Sequence, residues 1–268
     1  MILLGYISAI FIGISLGLIG GGGSILTIPV LVYLFHFQPQ PATSYSLFIV
    51  CISSFIGSLS YLRNNFVCYK SIVVFGLPSL ISVYITRKFI FPHIPSSIHF
   101  SNGFEISKEV LIMVLFALVM IAASLSMIRK SRVIRPDDYV SSEPYRYLFT
   151  IFGGIGVGFL SGLLGTGGGF LIIPALIIFA RLGMKVAIGT SLVIITTNTA
   201  IGFLSDLHNE PGINWIFLCA FTALSVAGIL SGIYISRHVA GYKLKTAFGW
   251  FILVIGTFVI AQSIFSGY

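Results

Sequence analysis

Two glycine blocks are the residues of this sequence best suited to bind a ligand through the backbone. The stretch 17–29 reads G-L-I-G-G-G-G-S-I-L-T-I-P, and 162–174 reads G-L-L-G-T-G-G-G-F-L-I-I-P. Glycine lets a ligand approach backbone N–H groups closely. A helix that begins after each block, near Ser24 and Gly169, would offer unpaired N–H groups and roughly half a positive charge. Two such helix ends would form a site for a small anion.

The blocks belong to an internal repeat with an offset of 145 residues. Between positions 17–35 and 162–180, nine of nineteen aligned residues are identical. The offset continues without a gap, since Ser46 matches Ser191 and Gly57 matches Gly202. This unchanged register indicates two copies of one unit.

The composition is that of a membrane protein. Of the 268 residues, 57% are hydrophobic and 8% are charged, whereas a soluble domain has about 25% charged residues. The chain is therefore expected to reside in a lipid bilayer, and its net charge of +8 indicates cytoplasmic loops and not a nucleic-acid partner. The three cysteines have no C-x-x-C spacing, so neither a disulfide framework, a metal site nor another cofactor is expected.

Charge along the chain divides it into membrane segments. Residues 2–35 are uncharged, a run much longer than the roughly 20 residues of one spanning helix. Its glycines separate arms 2–19 and 24–35, which form either one tilted, broken helix or a hairpin. We expect a turn at 37–41, a loop at 91–109, a kink at Pro78, and Pro29 and Pro174 to end or bend the short arms. Further spans are predicted at 43–62, 70–86, 110–128, 186–207, 213–236 and 246–265.

The distribution of basic residues favours the hairpin. Segment 129–146 is the most basic part of the chain and is predicted to be cytoplasmic. If 147–180 leaves and returns to one side, Arg181, Lys185 and the segment 237–245 lie inside, and the acidic turn 206–212 lies outside. A single crossing would reverse all three. Arg87 and Lys88 are the exceptions, because they fall outside.

The predicted fold is an all-α polytopic membrane protein with two inverted-topology repeats. Each repeat is a glycine-broken helical hairpin plus three transmembrane helices. Residues 1–128 form the first repeat, 129–146 a basic cytoplasmic linker and 147–268 the second repeat. Inverted repeats are typical of secondary transporters. The sequence leaves open whether the chain works alone or as a homo-oligomer.

Hydroxyl and amide side chains would complete an anion site at the helix ends. The alternative is that the glycines only allow close helix packing, which is also the expected role of Ser53, Ser54 and Ser58. The candidate substrate-binding residues are Gly20, Gly22, Gly23, Ser24, Ser46, Gly165, Gly167, Gly168, Gly169, Thr190, Ser191 and Asn198.

Enzymatic motifs are poorly supported. Residues 13–17 match G-x-S-x-G, but that motif needs a strand–turn–helix context. Ser15 becomes Leu160 in the second copy while both glycines persist, so the repeated element is G-x-x-x-G, a close-packing motif. There is no catalytic constellation, metal motif or phosphate-binding loop, and we expect neither an enzyme nor an ATP-driven pump.

The duplicated motif G-x-x-G-x-G-G-x-x-x-x-x-P resembles the sulfite exporter TauE/SafE permease family over nearly the whole chain. Each copy is followed by a Ser/Thr-Leu entry to the next helix, at 43–47 and 189–192. The resemblance implies the glycine blocks and the entries Ser46, Thr190 and Ser191 as family positions. The first copy departs from the second, since it has Ser44-Tyr45-Ser46 in place of Gly189-Thr190-Ser191.

That resemblance implies a multi-pass permease of a prokaryotic inner membrane. Its implied substrates are sulfite, sulfonates and related small organic anions, usually in export. A passive anion channel is the alternative, because buried carboxylates that could couple transport to an ion are nearly absent.

Cysteine labelling tests the hairpin. We expect single cysteines introduced at 38 and 183 to react with a membrane-impermeant maleimide from opposite sides, because 147–180 returns to the side it left. Labelling from the same side would contradict the hairpin.

Overall fold

A computed structural model describes residues 2–90, 97–99, 105–128, 144–164, 169–206 and 213–265. Nearly all of these residues are helical, and the exception with regular structure is a short antiparallel hairpin of β1 (Ser97–His99) and β2 (Glu105–Ser107). The first copy contains α1 (Ile2–Ile19), α2 (Gly22–Phe35), α3 (Pro39–Arg63), α4 (Tyr69–Ser71), α5 (Leu77–Ile85) and α6 (Lys108–Ile128). The second contains α7 (Pro144–Leu164), α8 (Gly169–Ile178), α9 (Met184–Asp206), α10 (Trp215–His238) and α11 (Gly241–Phe265).

Helix length separates spanning helices from the two short arms. Among the described residues, four helices are long and apolar enough to cross a membrane: Pro41–Arg63, Tyr69–Ile90, Met184–Leu204 and Trp215–His238. The short arms α2 and α8 have 14 and 10 residues. At 1.5 Å per residue they extend about 21 Å and 15 Å, less than the roughly 30 Å of the hydrocarbon core. The two arms are therefore too short to cross.

Both broken segments fold back as hairpins. The ring of Phe35, at the end of α2, covers Gly5 near the start of α1, and Leu16 covers Gly23. In the second copy, the ring of Phe179 covers Gly153, and Thr150 Oγ1 donates to the Phe179 carbonyl over 3.4 Å. The chain therefore reverses between α1 and α2 and between α7 and α8, as the hairpin alternative predicts.

Segments that the charge pattern places on one side lie at one end of the bundle. Lys185 Nζ donates to the Arg237 carbonyl, and an Arg237 Nη donates to Ser60 Oγ, each over 3.2 Å. At the other end, Ser44 Oγ donates to an Asp206 carboxylate oxygen over 3.3 Å. The helix ends are grouped as expected, while the orientation relative to a membrane and the domain boundaries stay predictions.

Each copy packs its first helix against the other copy. In α1, Gly13 lies on the Ser225 carbonyl of α10, and Gly17 lies on the Ile229 carbonyl. In α7, Gly158 lies on the Ser79 carbonyl, and Gly162 lies on Thr86. The repeated G-x-x-x-G motif therefore brings backbones together, which is its usual role between membrane helices.

The copies also meet where α3 crosses α9. Cys51 Sγ lies 3.7 Å from the Thr196 carbonyl oxygen, and these two positions are themselves separated by the repeat offset of 145. Ser54 Oγ and Thr196 Oγ1 share a hydrogen bond of 2.9 Å. Two equivalent positions can touch each other only close to an axis that relates the copies, so the α3–α9 crossing lies near that axis.

Proline positions correct several sequence expectations. The predicted turn at 37–41 is shorter, because α3 already begins at Pro39, where the fixed φ of proline suits the first helical turn. Pro29 and Pro174 lie inside α2 and α8 and end neither helix. Near Pro78 the chain forms a π-helical turn, Ile72–Gly76, directly before α5. This wider turn accommodates the loss of the backbone hydrogen bond that proline cannot donate.

Two segment boundaries also differ. Part of the predicted loop 91–109 is the β-hairpin, and α6 begins at Lys108. The helix α7 begins at Pro144 and not at 147, and residues 129–143 of the predicted linker lie outside the described residues.

A pair of alanine variants tests the close packing. Gly158→Ala places a methyl group against the Ser79 carbonyl, whereas Gly156, in the same helix, has nothing within 4 Å of an added Cβ. We expect Gly158→Ala to lose about 1–3 kcal/mol through overpacking and Gly156→Ala to lose nothing. The readout is the apparent Tm in detergent. Equal Tm values for the two variants would contradict this packing.

Candidate functional site

The first glycine block contains a break that only glycine tolerates well. Gly20 has a φ of +76°, in the left-handed region, and α2 begins two residues later, at Gly22. A Cβ on Gly20 would lie 2.9 Å from Ile188 Cγ2 and 3.1 Å from Ser191 Oγ. The break thus presses against α9, and Ser191 is the hydroxyl that faces it.

The two short helices begin side by side. Gly21 immediately precedes α2, and a Cβ on it would clash with the backbone of Gly169, the first residue of α8. Gly169 starts its helix as the sequence predicts, while α2 starts earlier than Ser24. Each helix end carries roughly half a positive charge. Two positive ends thus adjoin in the interior of the bundle.

Thr190 does not join this site. Its Oγ1 is buried and accepts a hydrogen bond of 3.0 Å from the backbone N–H of Cys68. In the first copy, Tyr45 occupies the matched position, and its hydroxyl accepts from the N–H of Asn214 over 2.7 Å. The two side chains therefore do the same work, because each holds the loop that precedes a helix of the other copy. The departure at 44–46 leaves this link intact.

The other predicted residues are placed as follows. Ser191 is fully buried and donates to the Ile188 carbonyl over 2.8 Å, which leaves its oxygen able to accept. Ser46, its counterpart in α3, is also buried. Gly22, Gly23 and Ser24 form the first turn of α2. Gly165, Gly167 and Gly168 lie outside the described residues.

Asn198 has an unusual environment for a buried amide. Its side chain is 7% exposed, and neither the amide nitrogen nor the oxygen has a hydrogen-bond partner. Such groups normally cost about 1–3 kcal/mol each when buried unpaired. Asn198 lies two helical turns after Ser191, on the same face of α9. An unpaired amide on the face that meets the glycine break is suited to receive a polar ligand.

The matched positions in the other half are paired. Ser53, the counterpart of Asn198, donates to Ser225 Oγ over 3.0 Å. The counterpart of Ser225 is Ser79, one residue from the exact offset, and its buried hydroxyl has no partner. The helices α3 and α10 pack together along their length, whereas α9 meets the 69–90 segment mainly at its π-helical turn, where Ile194 covers Gly76. The contact between α9 and the 69–90 segment is therefore less extensive than the contact between α3 and α10, and it contains unsatisfied polar groups.

Sequence reasoning missed Ser79 and Ser161. Ser161 is 2% exposed and its hydroxyl is also unpartnered. It replaces Leu16 of the first copy, which packs against Gly23. A position-by-position comparison of the copies would have shown this exchange of an apolar for a polar side chain near a break. The signal for Ser79 is weaker, because both copies have serine there.

The groups in this arrangement are suited to bind a ligand through hydrogen bonds. The available groups are helix-end N–H donors, hydroxyls and one amide, which can coordinate a small oxyanion. Within the described part of the chain, no three His, Cys, Asp or Glu side chains are grouped to hold a metal ion.

Replacing Asn198 tests whether its amide is unpaired. In ligand-free protein, Asn198→Leu removes two unpartnered polar atoms at similar volume, so we expect a higher apparent Tm. The control Ser53→Ala breaks the pair with Ser225 and should lower stability by about 1 kcal/mol. Both values come from thermal unfolding in detergent. A lower Tm for Asn198→Leu would mean that the amide is satisfied.

Comparison with known proteins agrees with a transport role. The model of the family described as sulfite exporter TauE/SafE matches residues 6–259. A probable membrane transporter protein, YunE of Bacillus subtilis, is 29% identical over 266 residues, covering 93% of each chain. A probable membrane transporter protein, MJ0441 of Methanocaldococcus jannaschii, is 27% identical over 276 residues, covering 97% of this chain and 94% of its own. No solved structure matches. The chain is a membrane protein that belongs to the sulfite exporter TauE/SafE family.

Proposed function

We propose that this protein is a secondary transporter that carries a small oxyanion, such as sulfite, a sulfonate or a small organic acid, out of the cell across the plasma membrane. The observation that carries the proposal is the contact between Gly21 and Gly169, where the N-termini of α2 and α8 adjoin.

The electrostatics of the two helix ends favour an anion at this contact. Two helix ends that each carry roughly half a positive charge repel one another, and a low dielectric strengthens the repulsion. An anion at this point interacts favourably with the positive ends of both helices. Ser191 lies at the first break and Asn198 follows on the same helix face. The unpartnered Asn198 amide nitrogen is a neutral donor that adds specificity without trapping the anion.

The tight contact favours a carrier over a channel. No space for even one methyl group exists between Gly21 and the backbone at Gly169, and a Cβ on Gly20 would lie 2.9 Å from the Ile188 side chain. A passive channel needs a continuous path, and here the first break lies directly against the start of α8. The anion can pass only if the breaks separate, which fits alternating access around broken helices.

Sulfite is the first substrate to test because the matching family is described as a sulfite exporter. We expect purified protein in proteoliposomes to transport labelled sulfite with saturable kinetics. Gly20→Ala should reduce the flux at least tenfold, because a left-handed residue gains a Cβ that clashes with α9. The matched control, Gly156→Ala, adds a methyl group where nothing lies within 4 Å and should keep the flux.

Further measurements in the same proteoliposomes distinguish a carrier from a channel and test other substrates. Saturable flux that follows an imposed ion gradient supports the carrier, whereas non-saturating flux that follows voltage alone supports the channel. Absence of sulfite flux in every variant would remove sulfite, and a panel of sulfonates and organic acids would then be tested in the same vesicles.

A further inference from the structure

A pocket with two cations at its rim and apolar side chains, Phe66 and Ile233, in its wall opens at the end of the bundle that the charge pattern assigns to the cytoplasm. Its volume is about 130 Å³, room for several waters at about 30 Å³ each or for one small oxyanion. The end of α3, the start of α9 and the end of α10 enclose it. Its polar lining consists of Ser60, Tyr61, Asn64, Lys185, Ser236 and Arg237.

The pocket is positively charged. Lys185 and Arg237 are its ionised side chains, and no carboxylate is among the described residues that line it. Lys185 Nζ donates to the Arg237 carbonyl and an Arg237 Nη donates to Ser60 Oγ. These contacts position both cations without neutralising either one. A concave site with charge of one sign raises the local concentration of the opposite ion by about tenfold or more.

The floor of the pocket leads to the first glycine break. Tyr61 is 5% exposed, and its hydroxyl contacts both the Gly17 carbonyl, at 3.2 Å, and Ser236 Oγ, at 3.1 Å. Gly17 lies in the last turn of α1, three residues before the left-handed Gly20. A buried pair of hydroxyls therefore connects the basic pocket with the helix that ends at the candidate anion site.

The opposite end of the same half is filled by aromatic side chains. Phe35 packs edge-on against Phe217 with ring centroids 4.9 Å apart, and Phe37 packs against Tyr45 at 5.0 Å. Phe221 extends the cluster inward from Phe217. The half of the molecule around α1, α3 and α10 is thus closed by aromatic side chains at one end and has the basic pocket at the other.

We propose that this pocket is an entry subsite that captures a small oxyanion from the cytoplasm before the anion reaches the glycine breaks. Lys185 and Arg237 attract the anion, and the hydroxyl of Ser236, which Tyr61 positions, donates to it as it loses water. The inference rests on the proposed transport function and gives it a direction, since capture on the basic side serves export. The phosphate of an anionic lipid shares this chemistry and is the alternative occupant.

Transport kinetics test the subsite from each side. The variants are Lys185→Gln and Arg237→Gln, with Lys243→Gln as control, because Lys243 is an exposed cation on the same side that does not line the pocket. With labelled sulfite presented at the pocket side of proteoliposomes, we expect each pocket variant to raise KM about tenfold with little change in maximal rate. Sulfite presented at the other side should give unchanged KM values. Unchanged KM at the pocket side, with saturable wild-type flux, would overturn the subsite while transport stands.

A second measurement is independent of transport. In a variant with alanine at the three native cysteines, Asn64→Cys reports the potential inside the pocket. We expect an anionic methanethiosulfonate to react faster than a cationic one, and the ratio to fall about tenfold when Lys185→Gln and Arg237→Gln are added. A fall in this ratio supports the subsite even if sulfite is not transported, and a constant ratio overturns it.

The lipid alternative is separated by vesicle composition. Both measurements are made in vesicles of phosphatidylcholine alone and with phosphatidylglycerol added. For an oxyanion subsite, the variant effects are the same in both vesicles. If the reagent ratio is lost in wild-type protein whenever phosphatidylglycerol is present, a lipid phosphate occupies the pocket and the proposal is wrong.

Discussion

The contact between the starts of two short helices is the constraint on which the rest of the structure depends. Gly21 touches the backbone at Gly169, so the starts of two helices adjoin where no side chain fits between them. A bilayer cannot supply hydrogen bonds there, and irregular backbone persists in a membrane only where protein or a cavity surrounds it. The glycine stripes on α1 and α7 serve this end, because they bring the surrounding helices close enough to enclose the breaks.

The two copies share their scaffold and differ in their polar groups. The links that hold the copies together are duplicated: Thr190 and Tyr45 perform the same task with different side chains. In contrast, the pair Ser53–Ser225 is hydrogen-bonded, while Asn198 and Ser79 at the matched positions are unpaired. The copies therefore share their main helix contacts and differ in the pairing of these polar side chains.

Much of the architecture was predictable because it follows from periodic or compositional signals. The length of the uncharged run at 2–35 indicated a broken segment, and the charges that follow 147–180 favoured a hairpin. The repeated glycines indicated both a break and a helix start. The prolines were read less well. Pro29 and Pro39 are accommodated within helices, since a single missing N–H is tolerated where neighbouring turns adjust or no partner was required.

The sequence grouped residues of the candidate site that the structure places apart. Ser191 lies against the glycine break, but Thr190, its neighbour in sequence, points to a different loop because adjacent helical residues lie about 100° apart. The basic pocket was not predicted at all. Its residues come from three helix ends that are distant in sequence, and only the packing of α3, α9 and α10 unites Tyr61, Lys185 and Arg237.

The exchange of partners between the copies also sets the order in which the protein can be completed as it is synthesised. The helix α1 leaves the ribosome first, yet α10, the helix against which Gly13 and Gly17 pack, is among the last. The helix α7, in contrast, finds its partner already made. The glycine face of α1 therefore lacks its partner helix until α10 has been synthesised. A chain that stops before α10 is an unfinished bundle and not a half-sized version of the protein.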